Sequence, residues 1–229
     1  MRRYYDLGLA PRSHPEANAL LAIARESGFH GVAVEGPDAT QVERDASPAG
    51  FEVFSRITLR PASTNELYRE LRRMRWRYHV VAVEAHSREL FMAALRDSRV
   101  DLVVAPVNEM IVVDRHVSEV ARNAVELRFS DFLTAPERFL TWLIRSGRWI
   151  ERERVPVVVT SGAVGELGVR RPLQLASVLA GTGFGVGLAL KSVSETPGRM
   201  VVENARRLSG LSDPRGVWSV EDEEEISRD

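Results

Sequence analysis

Eight short apolar runs punctuate this chain, and stretches with helical periodicity lie between most of them. The plainest is VPVVVT at residues 155–160. A run of β-branched residues without polar alternation is buried on both faces, which is how strands of a parallel sheet read. The others lie at residues 4–9, 31–35 (GVAVE), 51–59, 78–85 (YHVVAVEA), 101–105 (DLVVA), 124–129 and 186–190. Helical stripes alternate with them. Ala17, Leu20, Leu21, Ile23 and Ala24 form one, Leu67, Leu71 and Met74 a second, and Leu90, Phe91, Ala94 and Leu95 a third. The longest runs over residues 136–150, with Phe139, Leu140, Trp142, Leu143 and Ile144, and a last one covers residues 196–208. Ser13, Ser63 or Thr64, and Ser87 stand where N-caps belong, and Gly28 where a helix should stop.

Strand and helix alternating eight times within ~220 residues predicts an α/β fold, a TIM-like (β/α)8 barrel. An open doubly wound sheet is the alternative, but no G-x-G-x-x-G follows the first strand. Residues 36–50 carry Pro37 and Pro48 and no apolar period, so helix 2 is expected to be reduced to a loop. Residues 111–113 read as a short extra strand and residues 117–122 as a short helix. The barrel is placed at residues 1–210 and an acidic, disordered tail at residues 211–229.

Composition narrows the function classes. Among 229 residues there is no cysteine, hence no disulfide framework and no thiolate chemistry. No apolar run approaches the ~20 residues of a membrane helix. The start of the chain lacks the apolar region of a signal peptide, and a cytoplasmic location is expected. The net charge of −1 hides an asymmetry. Residues 219–229 hold six acids and one base, leaving 30 basic and 26 acidic residues before them. Lys191 is the only lysine; every other cation is arginine, whose planar fork suits phosphate and stacks on bases. A coding bias toward arginine gives the same composition, so nucleic acid remains one reading of two.

In a barrel the chemistry sits at the strand C-termini. The polar groups expected there are Asp6, Glu35, Arg60, Glu84, His86, Asn108, Arg128, Ser161 and Lys191. Asp6, Glu84 and His86 could hold a divalent metal, but the five histidines are scattered, with no H-x-H or H-x-x-x-H pair. Ser161, Gly162 and Lys191 offer donors for a phosphate. Ser161-Gly162 lacks the nucleophile elbow G-x-S-x-G and reads equally as a tight turn. Two basic stretches remain: Arg69, Arg72, Arg73, Arg75 and Arg77 with Trp76 and Tyr78 interleaved, and Arg145, Arg148, Arg152 and Arg154. Each serves either as phosphate contacts or as a solvated helix face salted by Glu66, Glu70, Glu151 and Glu153.

Six segments in order carry a resemblance: YYDLGL, GFHGVAVE, RVDLVVAP, NAVELRFS, VPVVVTSGA with Arg170-Arg171-Pro172, and SVSETPGRMVVENARRL. Together they resemble the ribonuclease P protein component 3 family, the barrel-type subunit of archaea and eukaryotes, related to PHP-type metal phosphoesterases. The resemblance implies a subunit of the enzyme that removes the 5′ leader of precursor tRNA. Catalysis would then belong to the RNA and its Mg²⁺, with no cofactor held by this chain and no catalytic residue in it. The implied partners are ribonuclease P RNA and the small RRM-like component 2, in a heterotetramer, with precursor tRNA met indirectly. The related phosphoesterases carry H-x-H on strand one, where this chain has Asp6-Leu7-Gly8-Leu9, so those ligands are absent. Basic residues in or beside the matching segments, Arg88, Arg99, Arg128, Arg170, Arg171 and Lys191, are the expected RNA contacts. Arg171 stands where the family pattern has serine. A metal-dependent phosphoesterase using Asp6, Glu84 and His86, and a phosphate-binding barrel using Ser161, Gly162 and Lys191, are the competing readings.

Overall fold

The computed structural model describes residues 2–36, 41–42 and 50–210. Seven parallel strands follow one another round a single sheet in chain order: β1 (Tyr5–Leu9), β2 (Gly31–Glu35), β3 (Glu52–Leu59), β4 (Val80–Glu84), β5 (Leu102–Val104), β6 (Ala124–Arg128) and β7 (Val157–Thr160). Helices cover the outside: α1 (His14–Glu26), α2 (Thr64–Met74), α3 (Arg88–Arg96), α4 (Arg115–Val120), α5 (Phe129–Thr134), α6 (Pro136–Arg152), α7 (Pro172–Ala180), α8 (Val186–Lys191) and α9 (Glu195–Leu208). The expected loop over residues 36–50 and the tail at 211–229 fall mostly or wholly outside the described residues. The N-caps are where the sequence puts them. Ser13, Ser63 and Ser87 accept from the backbone N–H of Glu16, Glu66 and Leu90, each satisfying a donor the first helical turn leaves unpaired.

The strand faces divide cleanly. Val32, Val34, Val81, Val83, Val103, Val125, Leu127, Val157 and Val159 point outward into the layer beneath the helices. Tyr5, Leu7, Ala33, Phe54, Val80, Ala82, Leu102, Ala124 and Val158 form a second cluster inside the barrel. Val201 of α9 belongs to that inner cluster and is fully buried. Helix α9 therefore plugs the end of the barrel where the strands begin. Its Asn204 latches the plug: the side chain donates to Asp101 Oδ1 (2.9 Å) and accepts from Arg75 Nη2 (2.6 Å). Arg75 in turn pairs with Asp101 at 2.6 Å. Only 2% of Arg75 is exposed, so this arginine of the Arg69–Arg77 stretch is structural and no surface contact.

Two expected strands are not strands. Residues 186–190 form helix α8. Gly185, Gly187, two leucines and an alanine make a poor β-run, and Val186 is 66% exposed, so the segment is not buried on two faces. The seam between β7 and β1 is closed by other means. Lower down, the carbonyls of Ser192 and Val193 accept from Val159 N (3.1 Å) and Tyr5 N (2.9 Å), a two-residue substitute for the eighth strand. Higher up, β7 and β1 approach directly, and Ala10 N donates to Ala163 O at 2.8 Å. Residues 111–113 are irregular; Val113 N bonds to Ser146 Oγ, and Trp142 Nε1 to the Ile111 carbonyl.

Direct closure demands a residue without a side chain at Gly8, where a Cβ would lie 2.6 Å from Thr160 Cβ. Both atoms are fixed by backbone, so neither can yield. Gly8→Ala should cost about 1–3 kcal/mol through overpacking. Urea unfolding with an unchanged m-value checks it, and a midpoint equal to wild type would show that the seam can open.

Candidate functional site

The upper half of the barrel interior is polar. Arg56 of β3 reaches across to Glu126 of β6, with Nη1 to Oε1 and Nη2 to Oε2 both at 2.7 Å. Its other N–H groups go to the Leu7 carbonyl and, from Nε and Nη2, to Thr58 Oγ1. All five guanidinium donors are thus engaged. The Thr58 hydroxyl donates a hydrogen bond to Glu35 Oε2 at 2.7 Å, and Glu35 lies 3.4 Å from Arg56 Nε. Thr160 donates to Glu126 Oε1 at 2.8 Å. Arg56 is 1% exposed and Glu126 not at all. Burial by itself would raise the Glu126 pKa, but the charges of Arg56 and Arg128 and the hydrogen bonds from Arg56 and Thr160 outweigh it and hold the carboxylate below its usual range.

Beside this pair sits Asp6, fully buried. Its Oδ1 accepts from Gly8 N and Ser161 N, both at 3.1 Å, while Oδ2 has no hydrogen-bond partner among the described residues. Burial pushes its carboxyl up; the bonds from Ser161 and Gly8 oppose the shift and Glu126 adds to it. The turn after β7 is built to bring Ser161 in. Gly162 takes φ +63°, and a Cβ there would lie within 3.0 Å of Ser130 Cβ.

At the mouth, Glu84 accepts from Arg60 (3.2 Å) and Arg128 (3.3 Å), and Arg128 also lies 3.9 Å from Glu126. Asp131, in the first turn of α5, faces the same group. Desolvation first, then the charges of Glu126 and Glu84 against that of Arg128, raise its pKa to about 6. No sequence pattern marks Asp131, because α5 is a six-residue helix with no buried stripe.

The structure does not assemble the competing sites. Asp6 is buried, Glu84 is tied to two arginines, and His86 is exposed on the rim. Among the described residues no three His, Cys, Asp or Glu side chains are grouped to hold a metal. The phosphate reading fails on Lys191. The residue ends helix α8, and with Arg2 it flanks Glu195 at the end of the barrel where β1 begins, opposite Ser161 and Gly162. Its expected place at a strand C-terminus depended on the strand that became α8.

The six expected RNA contacts divide between the two ends. Arg88, Arg128, Arg170 and Arg171 lie at the mouth. Arg88 pairs with Asp114 at 2.7 Å, and Arg170 stacks over Phe129 at 5.2 Å while donating to the carbonyls of Leu167 and Val169. Arg171 is exposed and pairs with no acid among the described residues. Arg99, before β5, is held by Asp97 at 2.6 Å and shares the lower end with Lys191. That lower end also collects Arg72, Arg73, Arg77, Arg96, Arg122 and Arg154, all exposed and without an ion pair among the described residues. They gather there because helices run against the strands, and cations are favoured at helix C-termini.

The family model described as RNase P subunit p30 matches residues 3–209. The chain belongs to that family. It is 26% identical over 216 residues to ribonuclease P protein component 3 of Methanococcoides burtonii, covering 87% of this chain and 88% of that one. To the protein of the same name from Halobacterium salinarum it is 27% identical over 210 residues, covering 86% and 90%. Among solved structures, one titled as archaeal ribonuclease P with mature tRNA superposes with a TM-score of 0.76 at 16% identity, over 93% of this chain and 97% of that one, which shows a shared fold.

In this member of the p30 family the serine expected before Pro172 is Arg171, which cannot accept a bond from the helix. Gln174 keeps the other half of the cap, its Oε1 accepting from Arg171 N at 2.9 Å. The barrel centre is governed by the Arg56–Glu126 pair. Arg56→Met should destabilise by about 3–5 kcal/mol, because Glu126 is left charged and buried, and Arg56→Met with Glu126→Leu should recover most of that loss. Urea melts of the two variants decide it; equal destabilisation would mean the pair acts by packing alone. Asp131 supplies a pH signature. Between 3.8 and about 6 the folded state holds more of its proton than the unfolded state does, so its contribution to stability falls as pH rises through that window. Asp131→Asn should abolish this fall and raise Tm at pH 7, as thermal melts from pH 4 to 7 would record. A wild-type slope in the variant would place the titration elsewhere.

Proposed function

We propose that this chain is a protein subunit of ribonuclease P that binds and braces the catalytic RNA during removal of the 5′ leader of precursor tRNA. The observation that carries this reading is the family match over residues 3–209, nearly the whole described barrel. The interior geometry favours a scaffold as well. Where a hydrolytic barrel would hold reactive groups, this one holds an arginine whose every donor is spent on Glu126, Thr58 and Leu7. Catalysis is assigned to the RNA and its Mg²⁺, and this chain carries no cofactor. Component 2, the small RRM-like subunit, is the proposed protein partner, in a heterotetramer.

RNA contact is proposed for Arg88, Arg99, Arg128, Arg170, Arg171 and Lys191. Arg171 has the most to give, being exposed and unpaired among the described residues, while Arg99 and Arg128 must first be released from Asp97 and Glu84. Each phosphate neutralised releases counterions, so binding should weaken steeply with salt.

Reconstitution tests the reading: precursor-tRNA cleavage at low Mg²⁺ by ribonuclease P RNA with component 2, with and without this chain. Cleavage that requires the chain is the expected result. No effect, together with phosphoester hydrolysis by the chain alone, would overturn it. In a titration of ribonuclease P RNA with the chain at several salt concentrations, Arg170→Ala with Arg171→Ala should lower the slope of log affinity against log salt by about 1–2. An unchanged slope would remove that loop from the interface.

A further inference from the structure

The strongest feature left unused is an apolar groove beside the mouth. It encloses about 460 Å³ between α5, the start of α6 and α7, with Phe129, Phe132, Leu140 and Val178 as its apolar walls. Aliphatic side chains on the same three helices stand in solvent: Leu133 is 54%, Leu173 60% and Ile144 74% exposed, and Ile144 lies one helical turn from Leu140. The polar atoms lining the groove are already occupied. Ser177 donates to the Gln174 carbonyl, Thr182 to the carbonyls of Val178 and Leu179, and Gln174 Oε1 accepts from Arg171 N. A polar ligand would find few free partners, whereas an apolar side chain would be fully accommodated. The flank at α7 is cationic, with Arg170 at the groove wall and Arg171 at the head of the helix. The occupant this surface fits is thus a bulky apolar anchor joined to a block of acids.

The chain itself contains such a segment. Val217, Trp218 and Val220 are followed at once by Glu221, Asp222, Glu223, Glu224 and Glu225. This stretch lies beyond both the family match, which ends at residue 209, and the described residues. The seven residues 211–217 can span up to ~25 Å between Gly210 and Trp218. We propose that residues 217–225 dock on this groove of the same molecule, with Trp218 between α5–α6 and α7 and the acids against Arg170 and Arg171. Tryptophan suits the role because it buries a large apolar area with little loss of rotamer freedom. The docked acids would mask two of the arginines proposed above for RNA, so that RNA must displace the tail. That consequence rests on the RNA reading; the docking does not.

The test replaces Trp218 with p-benzoylphenylalanine in the full chain and irradiates it. The expected product is an intramolecular adduct, mapped by mass spectrometry to peptides containing Phe132, Leu140 or Val178. It should be lost in Ser177→Trp, which fills the groove from an exposed position, with the far-UV melt confirming that this variant folds. Adducts elsewhere on the barrel, no adduct on the barrel, or a cross-linked dimer with a second copy would each overturn the proposal. Replacing the five acids with their amides should raise RNA affinity several-fold. Unchanged affinity alongside groove adducts would count against the RNA role of Arg170 and Arg171, and not against the docking.

Discussion

The Arg56–Glu126 pair crosses the barrel from β3 to β6, and the upper half of the molecule is arranged around it. A lone guanidinium at 1% exposure would be untenable, and so would the fully buried carboxylate opposite. Together they satisfy each other, and Thr58, Thr160 and the Leu7 carbonyl take up the remaining donors and lone pairs. Such a pair adds little net stability compared with an apolar filling. Asp6, Glu35, Arg128 and Asp131 then sit in the field of this pair.

The opposite end solves a different problem. With seven strands among the described residues, the sheet leaves a seam and an open floor. Gly8 lets β1 lie against β7 above, the Ser192 and Val193 carbonyls bridge them below, and α9 inserts Val201 into the floor. The Arg75–Asp101–Asn204 cluster holds α9 in place. Two buried arginines thus do structural work in a chain whose composition invites every arginine to be read as a nucleic-acid contact.

How much of this was legible in sequence follows from the kind of signal each feature leaves. Strands β1 to β7 and the capped helices were legible because burial on two faces and N-cap serines are local patterns. The eighth strand was misplaced because VGLAL is apolar enough to pass as a buried run, and only the tertiary seam shows that two carbonyls suffice. Glu84 and Arg128 were expected at the mouth and are there, while Asp6 lies fully buried beside the central pair. Arg56 and Glu126 were passed over, though a single charge inside an apolar strand, as in AVELR, is the sign that a buried partner exists. Which partner it finds is a matter of register across the barrel, and no local pattern encodes that. Lys191 went to the other end along with the misread strand. Arg72, Arg73, Arg77 and Arg154 of the lower rim belong to the two basic stretches, but their gathering with Arg96 and Arg122 at one end needed the antiparallel course of the helices.

The family match and the filled interior lead to one account: a barrel whose inside is structural and whose outside meets RNA. The most direct test is the activity of the reconstituted enzyme carrying Arg56→Met with Glu126→Leu, a chain with its central ion pair removed and its surface untouched. The account predicts precursor-tRNA cleavage at the wild-type rate, with the same salt dependence. Loss of cleavage by a variant that folds with wild-type stability would contradict it and would place function inside the barrel.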